Sequence, residues 1–287
     1  MKKIPVILIL ALLVFFRASA QVSVDVSLDQ NQFLPGEPLP VAVHITNRSG
    51  QPLHLGANPS WLTFSVEAAD GFIVVKNADA PVLGEFDLGS SEVATKRVNL
   101  APYFILNHAG RYRVIATVHI KQWNLDVTSP PKKFDVISGV ELWSQNFGVP
   151  GATNQPPDVR KYTLLEANYL ASELRLYAQV TDESESRVFK VVRIGQLVSF
   201  SQPEEQLDRY SNLHVLWQSG ASSFTYAVIN PDGDIERTET YDYVKTHPRL
   251  GTNDDGDIVV IGGVRRLKPD EIPVVKSPDE MPAPAKQ

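Results

Sequence analysis

Apolar residues recur at every second position in much of the first half of this chain, a period that predicts half-buried strands. Val22-Ser-Val-Asp-Val-Ser-Leu28 alternates, as does Leu39 to Thr46 with Val41, Val43 and Ile45 on one face. Trp61 to Ala68 puts Leu62, Phe64 and Val66 inward, and Asp70-Gly71 turns the chain into a further strand, Phe72 to Lys76. Strands follow near Val93 to Leu100, at Arg111 to Ile120 and near Lys133 to Ile137. The clearest is the Arg111 stretch, where Tyr112, Val114, Ala116, Val118 and Ile120 share a face. Turn residues punctuate the series at Leu34-Pro-Gly-Glu37 and Asn47-Arg-Ser-Gly50.

Residues 139–157 interrupt this pattern. Gly148, Pro150, Gly151, Pro156 and Pro157 mark a connection between domains, and Leu142, Trp143 and Phe147 give it apolar content to pack against them. Beyond it, Leu174-Arg-Leu-Tyr-Ala-Gln179 aligns with Leu213-His-Val-Leu-Trp-Gln218, and an apolar strand returns at Ile258-Val-Val-Ile261. The turn Asn-x-Asp-Gly-Asp-Ile occurs twice, as Asn230 to Ile235 and Asn253 to Ile258. The recurring unit is therefore roughly 40 to 45 residues of short strands. At its start two readings stand. Residues 158–172 are read as strand, but Val159, Tyr162, Leu165, Tyr169 and Leu170 also fit one helical face with Asp158 as N-cap. Residues 269–287 hold Pro269, Pro273, Pro278, Pro282 and Pro284 with no aromatic residue, the composition of a disordered tail.

Gly110-Arg-Tyr112-Arg-Val114 resembles the tyrosine corner of immunoglobulin-like domains, with Val114 at the position that holds a cysteine in antibody domains. Pro35 to Asn47 is similar to the early strands of bacterial immunoglobulin-like and fibronectin-III-like domains. The resemblance spans roughly residues 22–138 and implies a β-sandwich, with nothing about function. The later repeats resemble β-propeller blades in general. A propeller needs at least about four blades, so this region is expected either to be a small open meander or to close a ring by oligomerisation. The predicted fold is all-β: an immunoglobulin-like β-sandwich at 21–138, a linker at 139–157, and an antiparallel β-meander of blade-like repeats at 158–268.

Composition adds a compartment. Lys2 and Lys3, the apolar run Ile4 to Phe16 and the small-residue site Ala18-Ser-Ala20 predict a secretory signal peptide, residues 1–20, cleaved after Ala20. The other reading, an uncleaved anchor helix, meets a run too short to span a bilayer comfortably. Loss of Lys2, Lys3 and Arg17 takes the formal net charge from −6 to −9, which opposes nucleic-acid binding by bulk charge. The 287 residues contain no cysteine, which excludes disulfides, thiolate catalysis and a lipoprotein anchor and leans towards a bacterial envelope or secreted protein.

No catalytic motif emerges. The six histidines have no metal-ligand spacing, and Ser219-Gly-Ala-Ser-Ser223 is not a nucleophile elbow. Asn253, Asp255 and Asp257 offer oxygens at alternate positions as a calcium loop does, but Gly256 stands at the fourth position where an EF-hand needs it at the sixth. An Asp-Gly hairpin turn explains them more simply. Trp123, His214, Trp217 and Tyr226 are the candidate ligand-binding residues, since aromatic rings stack on sugars or anchor protein partners. The expected function is an exported, non-enzymatic binding or scaffolding protein of the bacterial cell envelope. It would be secreted or periplasmic, with a protein or carbohydrate ligand, no cofactor and no transmembrane span after cleavage. The alternative is a secreted glycan-active hydrolase with an accessory immunoglobulin-like domain.

Overall fold

The computed structural model describes residues 22–149, 158–268 and 271. The signal-peptide reading at 1–20, residues 150–157 of the linker and nearly all of the proline-rich tail lie outside them. The described residues form an all-β fold that includes a short 3-10 turn at Lys121–Trp123. No helix among the described residues is long and apolar enough to cross a membrane. The chain divides into two compact units between Ser138 and Gly139.

The first unit contains β1 (Val22–Leu28), β2 (Gln32–Phe33), β3 (Pro40–Asn47), β4 (Leu53–Leu55), β5 (Leu62–Ala68), β6 (Phe86–Leu88), β7 (Val93–Asn99), β8 (Gly110–Ile120), β9 (Leu125–Thr128) and β10 (Lys132–Val136). One sheet runs β1-β3-β7 and a second β2-β10-β8-β5, with β9 on β8 and β4 paired to β6. Strand alternation works as the sequence implies. Val24, Val43 and Ile45 from the first sheet and Phe64, Val114, Val118 and Phe134 from the second are buried in one core. Tyr112 is buried there against Phe134 and donates its hydroxyl to the His108 carbonyl at 2.6 Å. Phe72 to Lys76 departs from expectation. It is not a strand but a loop with one bridge, Lys76 to Phe104, and Phe72, Ile73 and Val75 are exposed. Four consecutive apolar residues give no alternating polar face, and only Val74 packs on the core.

The second unit contains β11 (Val140–Val149), β12 (Asp158–Tyr169), β13 (Glu173–Asp182), β14 (Val188–Gln196), β15 (Glu204–Leu207), β16 (Leu213–Gln218), β17 (Ser223–Ile229), β18 (Ile235–Asp242), β19 (Arg249–Thr252), β20 (Ile258–Ile261) and β21 (Val264–Arg265). Two antiparallel meanders form, β11-β12-β13-β14 and β15-β16-β17-β18-β21, with β19-β20 a separate hairpin. The linker reading is corrected over 140–149. These residues are β11, paired with β12 along its length, and Phe147, Leu142 and Trp143 belong to the core. The apolar content that looked odd in a connection is the inward face of a strand. The helical reading of 158–172 also falls: β12 is hydrogen-bonded on both edges, with Tyr162 opposite Val180 and Leu164 opposite Ala178.

The sequence repeat follows the strands but not their places. β13 is third in its meander, β16 second in its own, and the third copy, β20, lies in the hairpin. What repeats is the composition of a buried strand. The inner faces of the two meanders share one core, built from Tyr162, Leu164, Leu176 and Val180 on one side and Leu213, Val215, Trp217 and Ile229 on the other. Polar ties fix the meanders across it. Tyr162 donates to the Ile229 carbonyl at 3.1 Å, and burial raises its phenol pKa well above the ordinary value. Arg160 reaches the Pro231 carbonyl and Asp232, at 2.9 and 2.8 Å, while Lys190 pairs with Asp234. Both acids lie in the first Asn-x-Asp-Gly-Asp turn, so that turn is clasped by cations from the neighbouring meander.

Trp217 sets the spacing at one end of this core. It is 1% exposed and donates its indole N–H to the Gln196 carbonyl at 2.8 Å. The ring lies against Gly195, where a Cβ would fall 2.6 Å from its Cζ2 atom. Overpacking a close contact of this kind costs about 1–3 kcal/mol. Gly195→Ala is therefore expected to lower unfolding stability by about that amount in urea melts; an unchanged midpoint at unchanged slope would contradict the contact.

Candidate functional site

In an antiparallel pair, directly opposed residues point to the same face of the sheet. His214 opposes Val228, and Leu216 opposes Tyr226. Val228 opposes Arg237, and Tyr226 opposes Glu239. His214, Leu216, Tyr226, Val228, Arg237 and Glu239 therefore share the face of the second meander that points away from the core around Trp217. The hairpin β19-β20 covers the apolar part of this face, where Leu250 and Val260 pack on Leu216, Phe224, Tyr226 and Val228.

At the turn end of the hairpin the cover lifts to leave a cleft of about 310 Å³. Asp208, His214 and Arg237 lie on the sheet side, and Asn253, Asp257 and Ile258 on the hairpin side. His214 is 7% exposed and held at both ring nitrogens. Its Nδ1 lies 2.6 Å from the Tyr226 hydroxyl and its Nε2 3.3 Å from Asp208 Oδ2. A neutral ring donating from Nε2 to the carboxylate would accept the Tyr226 proton at Nδ1, which satisfies every group.

Asp208 is fixed in turn by the loop before β16. It accepts the backbone N–H groups of Tyr210 and Asn212 at 2.8 Å each and the Asn212 side-chain amide at 2.9 Å. Burial alone would raise its pKa, but these hydrogen bonds together with that from His214 outweigh it and hold the carboxyl below the ordinary value. Across the sheet, Glu239 is buried and accepts hydrogen bonds from Arg237 and Tyr241, both at 2.8 Å. Burial pushes up the phenols of Tyr226 and Tyr241, with Glu239 adding to both, to about 12 each. At neutral pH Tyr226 is an uncharged phenol. The arrangement orients His214 and supplies hydrogen-bonding edges and a guanidinium to a polar ligand; it makes no activated nucleophile.

The structure brings together four of the residues singled out in the sequence. His214 and Tyr226 are bonded to one another, and Asn253 and Asp257 form the opposite wall. Asp255 is an exposed turn residue. Trp217 lies on the opposite face, buried in the core of the two meanders, and also lines a groove at the other end of the hairpin. Trp123 sits in the 3-10 turn of the first unit, partly buried against that unit's core. Asp208, Arg237 and Glu239 belong to no sequence motif, although Arg237, Glu239 and Tyr241 alternate along β18 as a polar face should.

The two acidic turns have the same internal geometry. Asn230 Oδ1 accepts the N–H groups of Asp232 and Asp234 at 3.1 and 2.9 Å, and Asn253 Oδ1 those of Asp255 and Asp257 at 3.1 and 2.8 Å. Gly233 and Gly256 stand at φ 82° and 81°, a left-handed conformation that glycine adopts without strain. The carboxamide oxygen a calcium loop would offer is thus already spent on the backbone. No group of three or more His, Asp or Glu side chains among the described residues is arranged to hold a metal ion.

No protein-family model matches the chain, and no curated protein matches it. Among solved structures the chain is similar to Spo0M, a sporulation control protein from Bacillus subtilis. The identity is 11%, over 61% of this chain and 90% of that one, with a TM-score of 0.31. A likeness at that level carries no argument about fold or function.

The polar face has a pH signature. A phenol raised in the folded state contributes stability that is complete below the unfolded value near 10 and is lost as pH rises towards about 12. The lowered Asp208 carboxyl acts at the other end, contributing fully above the ordinary carboxylate range and losing that contribution as pH falls through its depressed pKa. In a spectroscopic tyrosine titration, one late step near pH 12 is expected to disappear in Tyr226→Phe. Loss of a step near pH 10 instead would contradict the burial and bonding of this residue.

Proposed function

We propose that this protein is an exported, non-enzymatic binding protein of a bacterial cell envelope, whose second unit holds a polar protein or carbohydrate ligand in the cleft beside His214. The first unit acts as an immunoglobulin-like spacer or scaffold. The observation that carries the reading is His214 itself. A histidine 93% withdrawn from solvent, satisfied at both nitrogens and placed at the floor of a cleft, is a rigid recognition element. The mixed charge of the rim, with Arg209 3.6 Å from Asp257 and Arg237 on Glu239, suits an uncharged or zwitterionic partner better than a phosphate.

The signal-peptide pattern at 1–20 and the cysteine-free composition support the compartment. The bond from Tyr112 to His108 and the shared core of two sheets support the immunoglobulin-like reading of the first unit. The neutral state of Tyr226 and the saturated His214 support binding over hydrolysis.

The test is a thermal-shift screen of the mature chain against calcium, neutral and charged oligosaccharides, and envelope-derived peptides. A true ligand at about a hundredfold excess over its Kd stabilises by about 2.7 kcal/mol, and Arg237→Ala is expected to diminish that shift. Release of cleaved product from any glycan, abolished by replacing Asp208 or Asp257, would overturn the non-enzymatic reading.

A further inference from the structure

The loop between β14 and β15 has a feature that neither the core nor the cleft beside His214 uses. Val198 to Ser201 is a tight turn, closed by the Ser201 N–H to the Val198 carbonyl at 3.1 Å and by the Ser201 hydroxyl to the same oxygen at 2.8 Å. Its third residue is Phe200, at φ 66°. That position in a turn favours glycine, and a bulky side chain there is a steric outlier. Phe200 is also fully exposed, at 105% of its reference area. The phenyl ring thus strains the backbone and gains nothing from burial. Strain of this kind persists where the side chain serves something outside the fold.

The two residues that follow, Ser201 and Gln202, line a groove of about 230 Å³ at the opposite end of the hairpin from the His214 cleft. Glu204, one oxygen of which accepts the Leu250 N–H, and Gln218, whose amide nitrogen donates to the Gly220 and Ala221 carbonyls, leave a carboxylate and a carboxamide oxygen free to accept, and His247 adds ring surface over the buried Phe224 and Trp217. His247 stands edge-on to Phe224, with ring centroids 4.6 Å apart, and beside the half-exposed Tyr243 at 5.6 Å. Among the described residues no lysine or arginine lines the groove, and Glu204 disfavours an anionic ligand. Aromatic surface beside amide, hydroxyl and carboxylate groups matches a sugar ring, which offers C–H bonds on its face and hydroxyls around its edge.

We propose that Phe200 and the adjoining groove form a saccharide-binding site for a neutral sugar unit. Phe200 is the exposed stacking platform, and Gln202, Glu204 and Gln218 are the hydroxyl-reading groups. The site is separate from the His214 cleft and shares no lining residue with it. It deepens the binding reading by naming a ligand class and rests on that reading.

The test uses the mature full chain with neutral oligosaccharides of the β-glucan, chitin, xylan and galactan types, followed by residue-resolved NMR and calorimetry. The expected result is saturable binding by at least one, with shifts at residues 199–204, 218 and 247. Phe200→Gly should weaken that binding at least about tenfold while the melting temperature holds or rises, because glycine relieves the turn. Retained affinity in Phe200→Gly, or a lowered melting temperature, would overturn the site. Shifts confined to residues 253–259 would overturn it too but leave the His214 cleft standing as the binding site. Binding of envelope peptides at Phe200 with no saccharide bound would replace the sugar with a protein partner and so refute the proposal.

Discussion

Five consecutive residues of β16, from Leu213 to Trp217, are buried, and the second unit depends on that two-sided burial. Leu213, Val215 and Trp217 enter the core shared by the two meanders, while His214 and Leu216 turn to the face beneath the hairpin. A strand covered on both faces needs no alternation of polar and apolar residues. It also cannot leave a polar side chain unpaired without a penalty of about 1–3 kcal/mol. His214 therefore requires both Asp208 and Tyr226. The loop that shapes Asp208 and the strand register that places Tyr226 are consequences of putting a histidine in that position. The cleft is where the covering hairpin stops short of it.

The two copies of Asn-x-Asp-Gly-Asp-Ile show how little a motif decides alone. Both fold into the same turn, with the asparagine oxygen on two backbone amides and glycine in the left-handed region. The first lies against the neighbouring meander, where Arg160 and Lys190 neutralise its acids and make it a clasp. The second stands at the tip of the hairpin, with Asp257 near the exposed Arg209, and becomes a wall of the cleft.

Much of the fold was legible where one face of a sheet is wet. β1, β3, β5 and β8 alternate, and Tyr112 announced its bond to the preceding chain. Legibility failed where burial is two-sided or the signals conflict. Gly148 and the prolines after it disguised β11 as a linker, and the apolar spacing in β12 fitted a helix until its two partner strands were known. The repeat was real in composition but out of phase with the meanders, because any doubly buried strand draws on the same residues. At the site, His214 and Tyr226 could be singled out from the sequence, but their contact is diagonal between strands and needs the register. Trp217, one residue from the outer-face position Leu216, points to the core by the alternation of side-chain direction.

The central claim is that β16 is closed on both faces by meander and hairpin, and residue-resolved amide hydrogen exchange tests it most directly. Strands paired on both edges and covered on both faces open only with the global transition. Leu213 to Trp217 are expected to exchange among the slowest amides of the second unit, far slower than Ile235 to Thr238 on β18. Exchange of His214 and Leu216 at the rate of those β18 amides would mean that the hairpin does not cover this face, and would contradict the account.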